Sequence, residues 1–158
     1  MNSFKVYLAG YISGSKLEQC AEWRRKIRSF YALKSWNDLI FLDPLNGKEF
    51  ATITKDGLHS SIPSHAIIHR DYQSVINSNL VIANLDTFGD KRPITGTIAE
   101  LAWAWEHKIS IILITTEEQY KSHPFLEYFA SIIVNNVDEL LNKRYLDYFY
   151  QGTVNAKY

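Results

Sequence analysis

The sequence contains one cysteine, Cys20, in 158 residues. That excludes an intramolecular disulfide and most cysteine-based metal sites, and it suits a reducing compartment. An excess of either charge is also missing, since 17 Lys and Arg balance 17 Asp and Glu. No long-range field would therefore gather a nucleic acid polymer or an anionic membrane, and a nucleotide-sized ligand must be held by a local site. No apolar run approaches the roughly 20 residues of a membrane span. Lys5 breaks the N-terminal run that a signal peptide needs, and a cytoplasmic protein is the expectation. The five histidines, at 59, 65, 69, 107 and 123, show no HExxH or similar spacing, so no metal is expected. GxGxxG, the P-loop pattern and the GxSxG elbow are absent as well. Their absence disfavours a dinucleotide site, an NTPase and acyl transfer.

What is present is an ordinary globular balance, 46% hydrophobic and 22% charged. It predicts one domain, 1–158, able to bury a core. Short β-rich runs alternate with longer helical stretches. Lys5–Gly10, Leu39–Asp43, Leu80–Leu85, Ser110–Thr115 and Ser131–Val134 are nearly continuous apolar segments, as strands of a parallel sheet covered on both faces must be. Leu17, Cys20, Trp23, Ile27, Phe30 and Leu33 recur at helical spacing. Further helices are predicted at about Ser64–Asn77, Thr97–His107, Pro124–Phe129 and Val137–Tyr148. This alternation predicts an α/β fold: a three-layer, doubly wound (flavodoxin- or Rossmann-like) five-stranded parallel sheet with helices on both faces. One long connection, Pro44 to Pro63, is either a functional loop or a short solvated hairpin.

In such sheets ligands bind beyond the carboxyl ends of the strands, which directs attention to residues 10–15, 43–47 and 86–100. Gly10-Tyr11-Ile12-Ser13-Gly14-Ser15 could hold a phosphate or a sugar hydroxyl through its N–H groups and hydroxyls, or be a tight strand-to-helix turn. Asn46 is the polar candidate in the second segment. In Gly96-Thr97-Ile98-Ala99-Glu100 the spacing of Thr97 and Glu100 fits a capping box. The apolar run Leu101–Trp105 that follows predicts a well-buried helix with Glu100 in its first turn, where a carboxylate could attack an electrophilic sugar carbon. Asp71 shares the apolar stripe of Ile68 and Val75. An inward carboxylate is costly unless it is paired or working, and Arg70 is expected to project elsewhere on the helix. Asp86 ends the third strand, and Asp90 and Arg92 continue its loop; Arg92 either meets a substrate oxygen or is solvated.

Four segments, Val6-Tyr7-Leu8-Ala9-Gly10, Asp71, Ala83-Asn84-Leu85-Asp86 and Gly96-Thr97-Ile98-Ala99-Glu100, together resemble the nucleoside 2-deoxyribosyltransferase family over nearly the whole chain. The resemblance implies transfer of a 2-deoxyribosyl group between nucleobases through a covalent intermediate on Glu100. Tyr7 would orient that carboxylate, and Asp71 would bind the base together with Asp86, preferred over Asp90. Gly10, Tyr11, Asn46, Gly96 and Thr97 would bind substrate, with Tyr11 or Phe88 stacking on the base. The partners implied are a deoxynucleoside and a free nucleobase, without cofactor or metal. A homo-oligomer is also implied, for which the aromatic ending Tyr148–Tyr158 speaks as well. The chain departs from the family at His123-Pro124-Phe125-Leu126-Glu127, which offers no amide where members lend a polar residue to a neighbouring subunit. A related branch hydrolyses deoxynucleoside 5′-monophosphates with a small-residue phosphate loop after the first strand, and Ser13-Gly14-Ser15 keeps that alternative open. A non-catalytic nucleotide-binding domain on the same scaffold is a further one.

Overall fold

Successive residues of β1 (Phe4–Gly10) point to opposite faces of the sheet, and both faces are apolar. Val6 and Leu8 enter one core while Tyr7 and Ala9 enter the other. A strand buried on both sides belongs in the interior of a parallel sheet. The computed structural model, which describes residues 3–47, 51–54, 57–60 and 62–151, places it there.

From β1 the chain passes through a 3-10 turn (Gly14–Lys16) into α1 (Leu17–Ala32) and returns as β2 (Leu39–Leu42). A two-stranded antiparallel hairpin follows, β3 (Ala51–Thr54) against β4 (Gly57–Ser60), with Ala51 opposite Ser60. After it come α2 (Ser64–Ile76), β5 (Leu80–Asn84), α3 (Thr95–Glu106), β6 (Ser110–Ile114), α4 (Glu118–Lys121), α5 (Pro124–Phe129), β7 (Ile132–Val134), α6 (Val137–Asn142) and α7 (Tyr145–Gln151). The five long-range strands are all parallel, in the order β2-β1-β5-β6-β7. Trp23, Ile27 and Tyr31 of α1 cover one face with Leu140 of α6 and Leu146 and Tyr150 of α7; Val75 of α2, Leu101 and Ala104 of α3 and Leu126 of α5 cover the other. This is the three-layer, doubly wound α/β architecture that the hydrophobic pattern predicts. The chain leaves β1 toward β2 on one side and reaches β5 on the other. Connections therefore diverge above the carboxyl ends of β1 and β5 and open a crevice there.

Several boundaries differ from the sequence reading. The long connection contains the hairpin; its residues 48–50, 55–56 and 61 lie outside the described ones, as do 152–158 of the aromatic ending. The helix expected from Val137 to Tyr148 is two helices, because Arg144 adopts a left-handed φ of 56°. That break re-aims the chain so that Leu146 and Tyr150 reach the core. The short α4 carries no apolar stripe by which it could have been foreseen. α3 begins at Thr95, two residues early, just after Pro93, which fits ahead of a helix but not inside one. Nor is α3 buried all round: Thr97, Leu101 and Ala104 are buried, whereas Trp105 is 45% exposed. It lies on the sheet as a surface layer and needs only one inward stripe. Among the described residues, no helix is long and apolar enough to cross a membrane.

Candidate active site

Tyr7 is carried to the crevice by β1 and Glu100 by α3, and the Tyr7 hydroxyl donates to Glu100 Oε1 at 2.7 Å. The two residues lie 93 positions apart in the chain. Tyr7 is 1% exposed. Burial above all, then the nearby charges of Glu100 and Asp71, push its hydroxyl far above the usual tyrosine range. It therefore stays protonated and acts as a donor. Glu100, the sixth residue of α3, is partly exposed and faces a cavity of about 420 Å³ that is also lined by Gly10, Tyr11, Ile12, Arg92, Ile94, Gly96 and Thr97. The helix N-cap is Ile94, with no side-chain cap bond, so Thr97 sits inside the helix and the Thr97–Glu100 capping box is not formed. Glu100 occupies the second turn, beyond the strongest influence of the helix dipole.

A smaller cavity of about 190 Å³ adjoins Tyr7 from the other side, lined by Asp43, Pro44, Asn46, Arg70, Asp71 and Ser74. Here Asp71 meets Arg70, whose Nε and Nη2 lie 3.3 and 3.2 Å from Asp71 Oδ1. The expectation that Arg70 points elsewhere is thus corrected: its long side chain folds back over Asp71 while also donating to the carbonyls of Pro44 and Asn46. Asp71 and Asn46 accordingly line one cavity with Tyr7, and Gly10, Tyr11, Gly96 and Thr97 line the other with Glu100.

Asp86 stands apart from both. It is exposed, and its carboxylate accepts the Phe88 N–H at 2.7 Å in a turn stabilised by a side chain. It borders a third cavity of about 570 Å³ over the ends of β5, β6 and β7. Asp90 instead reaches Tyr11, accepting from its hydroxyl and, at 3.2 Å, from Ser13 Oγ. Those bonds, the Tyr11 contact first, hold Asp90 below the usual carboxylate range. Arg92 donates to the Tyr11 hydroxyl and the Ile12 carbonyl, both at 3.1 Å, so it is neither fully solvated nor remote from the Glu100 cavity. The Phe88 ring packs against both cores.

Beneath the site lie two residues, of which Arg24 escaped the sequence reading and Asp43 entered it only as the last residue of a strand and the first of the segment 43–47. Arg24 of α1 is fully buried and donates to the carbonyls of Leu8 (3.2 Å), Gly10 (3.1 Å) and Cys20 (2.5 Å). Asp43 lies 3.5 Å from Arg24 Nε and accepts from Arg28 at 2.9 Å. A signal for Arg24 existed, since it falls four residues after Cys20 and three before Ile27, on the apolar stripe of α1. Gly10 is required by this packing: a Cβ there would meet Trp23 at 3.0 Å, the Asn84 carbonyl at 3.1 Å and Arg24 at 3.2 Å. Gly96 has open space where a Cβ would stand. Among the described residues no His, Cys, Asp and Glu cluster could hold a metal ion.

The fold and the site define the chain first as a doubly wound α/β domain with a tyrosine-held carboxylate at its strand-end crevice. Solved structures with this fold include a CMP N-glycosidase, BcmB, from Clostridium botulinum. It aligns at a TM-score of 0.56 and 19% identity, over 90% of this chain and 98% of that one. A 2-desoxiribosyltransferase from Leishmania mexicana aligns at a TM-score of 0.49 and 19% identity, over 75% and 72% of the two chains. No protein-family profile matches the sequence, and no curated protein matches it.

Proposed function

We propose that this protein is an enzyme acting on the N-glycosidic bond of deoxynucleosides, transferring the 2-deoxyribosyl group from one nucleobase to another with Glu100 as nucleophile. The observation that carries this reading is the Tyr7–Glu100 hydrogen bond at the mouth of a cavity above β1. A hydrogen bond from a buried, protonated phenol fixes one carboxylate oxygen and orients the group at the cavity toward C1′. Attack by Glu100 forms the O–C1′ bond while the C1′–N bond breaks and its electron pair leaves with the base. The departing base needs a proton or strong hydrogen bonds. Asp71, beside Tyr7 and paired with Arg70, is the group proposed to hold the base by accepting a hydrogen bond from it, and water entering the crevice supplies the proton that the leaving nitrogen takes up. A second nucleobase attacking C1′ from the vacated side releases Glu100 and completes the transfer with retention. The likeness of fold to the CMP N-glycosidase supports chemistry at this class of bond.

A second reading, hydrolysis of a nucleoside 5′-monophosphate, is favoured by Arg92, a cation on the wall of the Glu100 cavity. The two part in one experiment. The protein is incubated with deoxynucleosides or deoxynucleoside monophosphates, with and without a free acceptor base, and the products are separated by chromatography. A new nucleoside appearing only with acceptor supports transfer, and free base from the monophosphate alone supports hydrolysis. Binding of either substrate without any turnover would overturn both and leave a nucleotide-binding domain.

A further inference from the structure

The cavity of about 570 Å³ over the carboxyl ends of β5, β6 and β7 has no part in the mechanism above. We propose that it is a second ligand site, one that takes an uncharged sugar through its hydroxyl groups. Arg92 and Pro93 are the residues common to this cavity and the Glu100 cavity, so the segment ahead of α3 divides the two.

Three adjacent strand ends each bring one hydrogen-bond donor to its lining. Asn84 closes β5, Thr115 follows β6 directly, and Asn136 lies two residues beyond β7. Asn84, Ile114 and Val134 stand side by side in the ladder, so the three strands end together, roughly 5 Å apart across the sheet. In each donor residue the side-chain oxygen is already occupied by a backbone N–H. Asp86 N donates to Asn84 Oδ1 at 3.0 Å, Glu117 N to Thr115 Oγ1 at 3.1 Å, and Glu139 N to Asn136 Oδ1 at 2.8 Å. Those bonds fix which end of each amide is oxygen. They leave the Asn84 and Asn136 NH₂ groups and the Thr115 O–H as donors with no acceptor among the described residues. Asn84 is only 6% exposed and Thr115 4%, and donors buried this deeply are normally paired. Among the described residues, Asp38 Oδ2 is the side-chain polar atom that is both sealed from solvent and unpartnered. The Asn84 nitrogen therefore keeps an opening, and this cavity is the space that Asn84 lines.

The class of ligand follows from the groups around these donors. The three donors are neutral, and the exposed Asp86 and Glu117 offer carboxylate acceptors at the rim. Lys91 and Arg92 line the cavity as well, so both signs of charge are present and no single-sign field draws in an anion. A hydroxyl group both accepts and donates. A sugar can therefore accept from the strand-end donors and donate to the rim carboxylates at once. A phosphate can only accept, and it would bring its charge against Asp86 and Glu117.

The test follows the Asn84 and Asn136 side-chain NH₂ signals of the ¹⁵N-labelled full chain by NMR. Asn84→Asp and Asn136→Asp assign them, and each keeps an oxygen for the backbone N–H while removing the donor. D-ribose and D-glucose probe a free sugar, and thymidine probes the sugar of a nucleoside; saturable movement of both signals with either supports the site and names its source. The expected dissociation constant is on the order of 1–10 mM, the strength open to a small neutral ligand held by a few hydrogen bonds. Each variant is expected to weaken binding on the order of tenfold. No saturable movement with any of the three compounds, the result for a cavity that holds water alone, overturns the proposal. Movement with inorganic phosphate but not with the sugars overturns it too, as does unchanged affinity in the variants. If Asn84→Asp fails to fold, Asn136→Asp decides alone, because Asp caps a helix as well as Asn does at that exposed position. The titration requires no turnover, so its failure leaves the reading of Glu100 untouched, and an inactive wild type leaves this site untouched.

Discussion

At the scale of residues, the Tyr7 hydroxyl and the Glu100 carboxylate form one hydrogen-bonded pair, the proposed centre of the reaction. Because burial keeps Tyr7 protonated, it cannot serve as a base, and a basic limb in the pH–rate profile is expected to come from another group. Tyr7→Phe removes only the hydroxyl, and a hydrogen bond to a charged group is worth about 1.5–3 kcal/mol. The expected result is a kcat lower by about tenfold to a hundredfold with a nearly unchanged KM, read in steady-state kinetics. Glu100→Ala is expected to abolish turnover while the circular dichroism spectrum stays native; wild-type rates in that variant would sink the nucleophile assignment. Glu100 could be singled out in the sequence from the segment Gly96-Thr97-Ile98-Ala99-Glu100 opening an apolar helix, whereas Tyr7 entered only through the family resemblance. Arg24 was hidden because an arginine between Trp23 and Arg25 reads as part of a charged helix face until its register with Cys20 and Ile27 is checked. The Asp86 and Asp90 choice could not be made from spacing at all. Which carboxylate meets Tyr11 depends on the left-handed residues Phe88 and Gly89, which turn the loop back.

At the scale of elements, the attachment of α7 is the most dependent on ionisation. Asp147 is buried and accepts from Tyr31 at 2.8 Å, Lys34 at 2.8 Å and Arg144 at 2.9 Å. Burial alone would raise its carboxyl, but these donors more than offset that and hold it below the usual range. A group depressed in the folded state stabilises the fold above its unfolded value, near 4, and that contribution is lost as pH falls through the folded value. Acid is therefore expected to weaken the packing of α7 against α1. Asp147→Ala should cost about 1.5–3 kcal/mol at neutral pH, because it removes charged hydrogen bonds and leaves the buried Tyr31 hydroxyl without its acceptor, and should flatten the acid dependence of urea midpoints. The helix itself was legible from its apolar residues, but its separation from α6 was not. The left-handed Arg144 obeys no propensity rule, and it is held by the ion pair with Asp147 that the break makes possible.

At the scale of the whole molecule, the parallel, doubly wound sheet was readable as a class, because buried parallel strands need apolar runs on both faces. The placement of β1 between β2 and β5 is a long-range arrangement that no local pattern encodes. The surface also carries exposed aromatic rings, Phe125 at 67% and Tyr128 at 75%, next to Trp105. A contiguous apolar patch of this kind marks an association surface more often than an ordinary monomer face, which fits the homo-oligomer that the family resemblance implies. Sedimentation velocity is expected to show an assembly that Phe125→Ser with Tyr128→Ser shifts toward monomer; identical profiles for the two proteins would remove this patch from the interface.

The Tyr7–Glu100 hydrogen bond joins two segments of a single polypeptide, and this has a genetic consequence. Two defective copies cannot repair one another by pairing. A mixed assembly of Tyr7→Phe and Glu100→Gln chains holds no unit with both groups intact, so its specific activity is expected to equal the weighted mean of its parents. In a cell, a Glu100 allele and a Tyr7 allele would fail to complement.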